Sequence, residues 1–129
     1  MIKTLTISMA LIILCLCYAM QIAAEPRAME VTVTAYNSTK AQTDADPHIG
    51  ACNKRITSNS NAIAVSRDLF RMGLDCGTEV ALEGFEKNFV VMDKMNKRFS
   101  KRIDIHMGKK IKQARNWGVK KLMIWWYRE

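Results

Sequence analysis

The sequence predicts a mainly β protein, a small closed barrel of six strands with one or two short helices. With 129 residues, 49% of them hydrophobic and 25% charged, the chain has the size and composition of one soluble globular domain. Six short runs favour β-strands and at most two favour helices, with turn residues between them. So many short strands in so short a chain favour a closed barrel, which pairs each strand on both sides.

The N-terminal segment, residues 1–24, is typical of a secretory signal peptide. Lys3 precedes an apolar run from Leu5 to Met20, and the small residues Ala23 and Ala24 follow it. We therefore expect residues 25–129 to form the mature domain outside the cytoplasm, in the periplasm, the cell wall or the medium. A retained membrane anchor is the alternative. Nucleic acid is not an expected partner, and a membrane is one only if the segment is retained.

The first half of the domain alternates between strands and polar loop. Residues 30–36 alternate with a period of two and are rich in β-branched side chains, which predicts a half-buried strand. Residues 37–61 form a long polar loop, of the kind that usually binds a ligand or is disordered. A short apolar strand follows at 62–65. Ser66 is then expected to cap a helix that Gly73 ends.

The second half begins with a predicted hairpin. Two strands, 78–82 and 88–92, flank the turn-forming dipeptide Glu83-Gly84. Another short strand is predicted at 102–105.

The C-terminal elements are a helix and an aromatic strand. Residues 109–117 have helical spacing of apolar residues and end before a glycine, which indicates an amphipathic helix. Residues 121–127 form the last strand, in which Trp125 and Trp126 must face opposite sides. We expect one of the two rings in the core and the other available for stacking on a sugar.

Two cysteines, Cys52 and Cys76, remain after removal of the signal segment. An even number of cysteines in a small exported domain favours a disulfide between them. The alternative is a metal site that combines Cys52 with His48 or His106, but the close spacing of such ligands is missing. No metal and no cofactor are therefore predicted.

The charge of +8 is concentrated in the C-terminal part of the chain. Residues 25–86 carry 6 basic and 9 acidic side chains, whereas residues 87–129 carry 13 basic and 3 acidic ones. This asymmetry suggests an anionic partner, and outside a membrane the candidates are lipid headgroups, teichoic-type polymers and peptidoglycan. A surface that is charged only for solubility is the alternative.

Two aspartates are the strongest candidates for chemistry. Asp104 lies between Ile103 and Ile105, so both isoleucines can enter the core while the carboxylate faces away from it. Asp93 ends the apolar run 89–92, where the last residue of a strand can project into a ligand site. Taken alone, each aspartate fits a turn, a cap or a salt bridge better than a catalytic role.

Six short motifs lie along the chain: Thr32-Val-Thr-Ala-Tyr36, Gln42-Thr-Asp-Ala-Asp-Pro47, Ile63-Ala-Val-Ser66, Gly77-Thr78, Asp93-Lys-Met-Asn96 and Arg102-Ile-Asp-Ile105. Together they resemble the 3D domain, a family named for three aspartates and similar to the catalytic domain of peptidoglycan lytic transglycosylases. The match spans nearly all of residues 31–127. The resemblance implies a double-psi β-barrel preceded by the signal segment.

The resemblance also implies a reaction and a site. Asp104 would donate a proton to the glycosidic oxygen between N-acetylmuramic acid and N-acetylglucosamine and then act as a base, so that the sugar's own C6 hydroxyl forms a 1,6-anhydro ring. Asp93 would hold the proton on Asp104 or balance the positive charge that develops. The partner is then the peptidoglycan glycan strand. Sugar contacts are expected from Tyr36, Thr43, Asp46 and Asn96.

One position departs from the family pattern and keeps other functions open. Many members have an aspartate after the Ala-Val of the middle strand, where this chain has Ser66. Asp68 or Asp46 could replace it, or the third aspartate could be dispensable. The alternatives are a glycan-binding module without turnover and a hydrolase that uses water on the same bond.

Overall fold

A computed structural model describes residues 2–19, 25–36, 50–57, 60–108 and 110–128. Six strands and three helices lie in these ranges. In chain order they are α1 (Ile2–Ala19), β1 (Arg27–Tyr36), β2 (Ala62–Val65), α2 (Arg67–Arg71), β3 (Glu79–Leu82), β4 (Phe89–Lys94), β5 (Arg102–His106), α3 (Ile111–Trp117) and β6 (Lys120–Trp126).

The six strands form a closed barrel in the order β1-β5-β2-β4-β3-β6. Two of the pairings, β1 with β5 and β2 with β4, are parallel, and the other four are antiparallel. The prediction of a six-stranded barrel is confirmed. The predicted hairpin is confirmed as well, since β3 and β4 pair in antiparallel fashion across a loop at residues 83–88.

The core lies inside the barrel and follows from the alternation of each strand. Val33, Ile63 and Ile103 are completely buried at its centre, and Ile105 is 2% exposed, as predicted. The two tryptophans of β6 face opposite sides, because Trp126 is 2% exposed and Trp125 is 38% exposed. Consecutive strand residues point to opposite faces, so outward side chains alternate with this apolar set.

Two details differ from the sequence-based expectations. Strand β1 begins at Arg27 rather than at residue 30, because it pairs with β6 as far as Trp126. Ser66 precedes α2, but its side chain does not cap the helix; its hydroxyl oxygen instead accepts a hydrogen bond from the backbone N–H of Arg102 (3.0 Å). The buried Ser66 therefore ties β2 to β5.

The predicted disulfide is confirmed: Cys52 and Cys76 are bonded, with their Cα atoms 5.6 Å apart. It joins residues 50–57 to the turn before β3, and it removes Cys52 from any role as a metal ligand. Helix α3 is attached to β1, because the indole N–H of Trp117 donates a hydrogen bond to the backbone oxygen of Val33 (3.3 Å).

Helix α1 covers most of the predicted signal segment, and its described apolar side chains are exposed. None of the helices in the described ranges combines the length and hydropathy that crossing a membrane requires. Residues 20–24, which contain the predicted cleavage site, lie outside the described residues, so the boundary of the signal segment remains a prediction.

Candidate functional site

Four residues form a row across four neighbouring strands, which we call the acidic row: Thr34, Asp104, Ala64 and Asp93. Ala64 of β2 pairs with Asp104 on one side and with Asp93 on the other, and Asp104 in turn pairs with Thr34. The chain neighbours of Ala64 and of Asp104 are core residues, so the row lies on the outer face of the barrel. With neighbouring strands about 4.8 Å apart, the Cα atoms of the two aspartates are about 10 Å apart.

A bulge in β4 places Asp93 in this row. Ile63 pairs with Val91, but the next residue, Ala64, pairs with Asp93, so Met92 is skipped. Without the extra residue Asp93 would oppose Val65, whose side chain is buried in the core. A bulge can re-aim a side chain in this way, and bulges are frequent next to functional sites.

Asp104 is half-buried and lies within a short chain of hydrogen bonds. The hydroxyl of Thr34 donates to its Oδ1 (3.0 Å), and the Nε of Arg102 donates to the Thr34 hydroxyl (3.4 Å). Burial raises the pKa of Asp104, whereas the bond from Thr34 and the positive charge of Arg102 lower it; the pKa remains above its ordinary value. Asp104 therefore faces outward, as expected, and its carboxyl group is partly desolvated.

Asp93 anchors the segment that the disulfide holds. Its Oδ1 accepts hydrogen bonds from the backbone N–H groups of Ala51 (2.6 Å) and Lys94 (2.8 Å). Gly50 approaches so closely that a Cβ there would collide with the backbone oxygen of Met92 and lie 3.0 Å from the Asp93 Cβ. The carboxylate therefore has a structural task at the edge of the site, whatever it does for a ligand.

Tyr36 supplies a hydroxyl beside the two carboxylates. It follows Thr34 on the outer face of β1, and its ring lies edge-on to His106 with the ring centroids 5.2 Å apart. Its oxygen is buried and has no hydrogen-bond partner among the residues that the structure describes. Burial and the charges of Asp93 and Asp104 raise its pKa, so the phenol keeps its proton and can donate it in a hydrogen bond.

Asp68 does not join the acidic row. Its Oδ2 accepts hydrogen bonds from the Ser100 hydroxyl (3.0 Å) and the Lys101 backbone N–H (2.9 Å), so it holds α2 against the start of β5. Burial raises its pKa, but these bonds and one from Ser66 outweigh burial and hold the pKa below its usual value. Asp68 thus acts as an anchor rather than as a third aspartate beside Ala64.

Of the three other predicted sugar contacts, Asn96 lies within the described residues, whereas Thr43 and Asp46 do not. The side-chain oxygen of Asn96 accepts a hydrogen bond from the Arg98 backbone N–H (3.1 Å) and closes the turn before β5. Thr43 and Asp46 lie outside the described residues, as does His48. Their roles therefore stay predictions. Within the described ranges no group of three or more His, Cys, Asp or Glu side chains is arranged to hold a metal ion.

The sequence analysis did not predict an open pocket of about 800 Å³, which has His106 in its wall. We call it the cationic pocket, because Arg55, Lys87 and Lys110 line it. Phe85, Phe89 and His106 also contribute to its walls. These residues come from four separate segments of the chain, so no local sequence motif predicts the pocket. The excess of positive charge after residue 86 is the only sequence signal for it.

The fold is similar to that of solved proteins. An apo expansin from Clavibacter michiganensis matches with a TM-score of 0.53 and 18% identity over 80% of this chain and 52% of that chain. A mutant of that expansin in complex with cellohexaose gives a TM-score of 0.53 and 18% identity, covering 79% and 51%. A Streptomyces papain inhibitor matches with a TM-score of 0.53 and 19% identity over 80% of this chain and 96% of that chain.

These likenesses concern the fold alone, and they fit the double-psi β-barrel that the resemblance implied. The chain spans about half the length of the expansin structures it matches. No protein-family model and no curated protein matches the sequence. Membership of the 3D family therefore stays a prediction that rests on the quoted motifs.

Proposed function

We propose that the protein is exported and binds cell-wall glycan strands across the outer face of β4, β2, β5 and β1. The acidic row carries this proposal, because it offers a half-buried carboxyl at Asp104 beside the small side chain of Ala64. Tyr36, two residues after Thr34 on β1, adds a hydroxyl that has no partner among the described residues. A ligand that is rich in hydroxyl groups can satisfy such donors and acceptors. The disulfide suits an oxidising compartment.

The fold comparison is compatible with this proposal. One of the similar structures is an expansin mutant in complex with cellohexaose, a glucan oligomer. A protein with a similar fold therefore binds a glycan. The excess of positive charge in the C-terminal part of this chain favours a glycan that carries carboxylates over a neutral one. Peptidoglycan has such carboxylates on its peptides, and on those muramic acid units that carry no peptide.

Binding is tested by sedimentation of the full chain with insoluble peptidoglycan. We expect Tyr36→Phe and Asp104→Ala to weaken retention about threefold to tenfold, because each change leaves a ligand group without its hydrogen-bond partner. Glu30→Gln serves as the matched control, since Glu30 lies on the outer face of β1 where that strand pairs with β6. Retention that is absent in the wild type, or equal in all variants, would refute the proposal.

Cleavage of the glycan is a second candidate function, and the raised pKa of Asp104 favours it. A carboxyl that keeps its proton can give it to the glycosidic oxygen as the bond to the anomeric carbon breaks. The C6 hydroxyl of the same muramic acid then attacks the anomeric carbon and returns its proton to Asp104. The products are a 1,6-anhydromuramic acid end and a free 4-hydroxyl, with no water consumed.

Asp93 would have a different role in a hydrolase. An inverting hydrolase places a water between two carboxyl groups roughly 6.5 to 9.5 Å apart, and a retaining one needs them about 5 Å apart. The two aspartates are separated by one intervening strand, which is too far for a retaining pair but not for an inverting one. One oxygen of Asp93 already binds two backbone N–H groups, and this structural task favours a single acid at Asp104 with Asp93 as an electrostatic partner.

The masses of fragments released from peptidoglycan distinguish the three functions. Anhydromuramic ends indicate a transglycosylase, reducing ends indicate a hydrolase, and retention without release indicates a binding module. If cleavage occurs, Asp104→Asn is expected to reduce it at least about 100-fold, the scale of general acid catalysis. Turnover that survives this substitution would remove Asp104 from the reaction.

A further inference from the structure

The cationic pocket borders the acidic row without being part of it. Ile105 and His106, which follow Asp104 on strand β5, both line the pocket. Its volume of about 800 Å³ lies within the usual range of ligand sites, roughly 300 to 1,000 Å³. A molecule lying across the acidic row can therefore extend into this space.

The charge of the pocket is unbalanced. Arg55, Lys87 and Lys110 line it from three different segments, and Glu86 is the one acidic residue on its described walls. The three cations make no ion pair with any residue in the described part of the chain. Their convergence on one cavity creates a positive potential that attracts carboxylates.

The walls of the pocket also suit amide and apolar groups. Phe85 is 36% exposed and is held in place by ring contacts to Phe89 (5.1 Å between centroids) and Trp117 (5.6 Å). The side chains of Asn61 and Gln113 add hydrogen-bond donors and acceptors. A ligand that combines carboxylates, peptide groups and short apolar side chains would complement all three kinds of wall.

We propose that the cationic pocket binds the carboxylate-bearing peptide that branches from a peptidoglycan strand, while the strand itself lies along the acidic row. This inference rests on the proposed glycan-binding function and deepens it, because it assigns the charged branch of the polymer to a separate cavity. A glycan without peptides would leave the three cations of the pocket facing only water. The protein thereby distinguishes peptide-bearing strands from bare ones.

The test compares two soluble probes: fluorescently labelled glycan strands that carry their peptides, and the same strands after an amidase has removed the peptides. The full-length wild type is expected to bind the peptide-bearing strands at least about fivefold more tightly at physiological salt. The double variant Lys87→Gln with Lys110→Gln is expected to lose this preference. A fivefold difference in affinity is about what two exposed ion pairs can supply. Its affinity for the bare strands should stay within about twofold.

The matched control is Lys112→Gln with Lys121→Gln, which removes the same charge from exposed positions outside the pocket. It should retain the preference. Equal affinity of the wild type for both strands, or equal loss in the control, would overturn the pocket assignment while leaving glycan binding intact. Failure of the wild type to bind either probe would overturn the proposed function and this inference together.

Discussion

At the scale of single residues, the environment of Asp104 follows from strand alternation and from its two polar neighbours. The pattern Ile103-Asp104-Ile105 was sufficient to predict an outward carboxyl between two core residues. The contact with Thr34 could not be predicted, because it depends on the parallel register of β1 against β5. The positive charge of Arg102, which lowers the pKa of Asp104, could not be predicted either.

Replacing Thr34 with valine tests this hydrogen-bonded chain. The Thr34 hydroxyl favours the ionised form of Asp104, so its loss should raise the pKa of Asp104 further. The carboxyl carbon shift in an NMR titration of wild type and Thr34→Val measures the change directly. Thr32→Val, two residues earlier on the same face of β1, should leave the pKa unchanged. A pKa that falls or stays constant in Thr34→Val would contradict the assignment.

At the scale of secondary-structure elements, the register and bulges of strand pairing determine which side chains lie in the site. Predicting the strands was possible from period-two patterns, but the bulge at Met92 was not, because an inserted residue leaves no mark on such a short pattern. Asp68 illustrates the same limit. Its position two residues after Ser66 suggested a replacement aspartate, yet its partners lie 32 and 33 residues away in sequence, just before β5.

Substitution of Asp68 should reduce stability rather than ligand binding. We expect Asp68→Ala to lower the free energy of unfolding at pH 7 by about 1 kcal/mol, the typical net contribution of the hydrogen bonds that it removes. Because the folded state lowers the pKa of Asp68, its contribution is present above the pKa of the unfolded chain and is lost as the pH falls through the folded pKa.

Urea unfolding at pH 7 and at about pH 2.5 provides the measurement for Asp68→Ala. The difference from wild type should shrink at the lower pH. Glu25→Ala, an exposed acidic position before β1, is the control for general charge effects. A loss of peptidoglycan retention with unchanged stability would instead return Asp68 to the functional site.

At the scale of the whole molecule, the disulfide and the barrel together define how the site is built. The barrel class and the cysteine pairing were predictable from strand number, size and cysteine count. The cationic pocket was not, because its lining residues come from chain segments that meet only after the barrel closes. Composition alone indicated an anionic partner without indicating where on the surface it would bind.

Removal of the disulfide should destabilise the entire domain. Replacing Cys52 and Cys76 with serine frees a loop with a sequence separation of 24, and chain entropy predicts a loss of about 3 kcal/mol in the free energy of unfolding. Chemical denaturation of the oxidised wild type and the double variant measures this loss. Cys15→Ser, at the exposed free cysteine of α1, should have no effect. A double variant as stable as the wild type would show that the crosslink is not needed for the fold.

Closure of the barrel also restricts the kind of molecule that can bind here. Each of the six described strands already has a neighbour on both sides, so none presents a free row of backbone amides and carbonyls. An extended peptide therefore cannot be captured as a seventh strand, a common mode of recognition on open sheets. Selectivity must come from side chains and loops, which can change between relatives of this protein while the barrel stays the same.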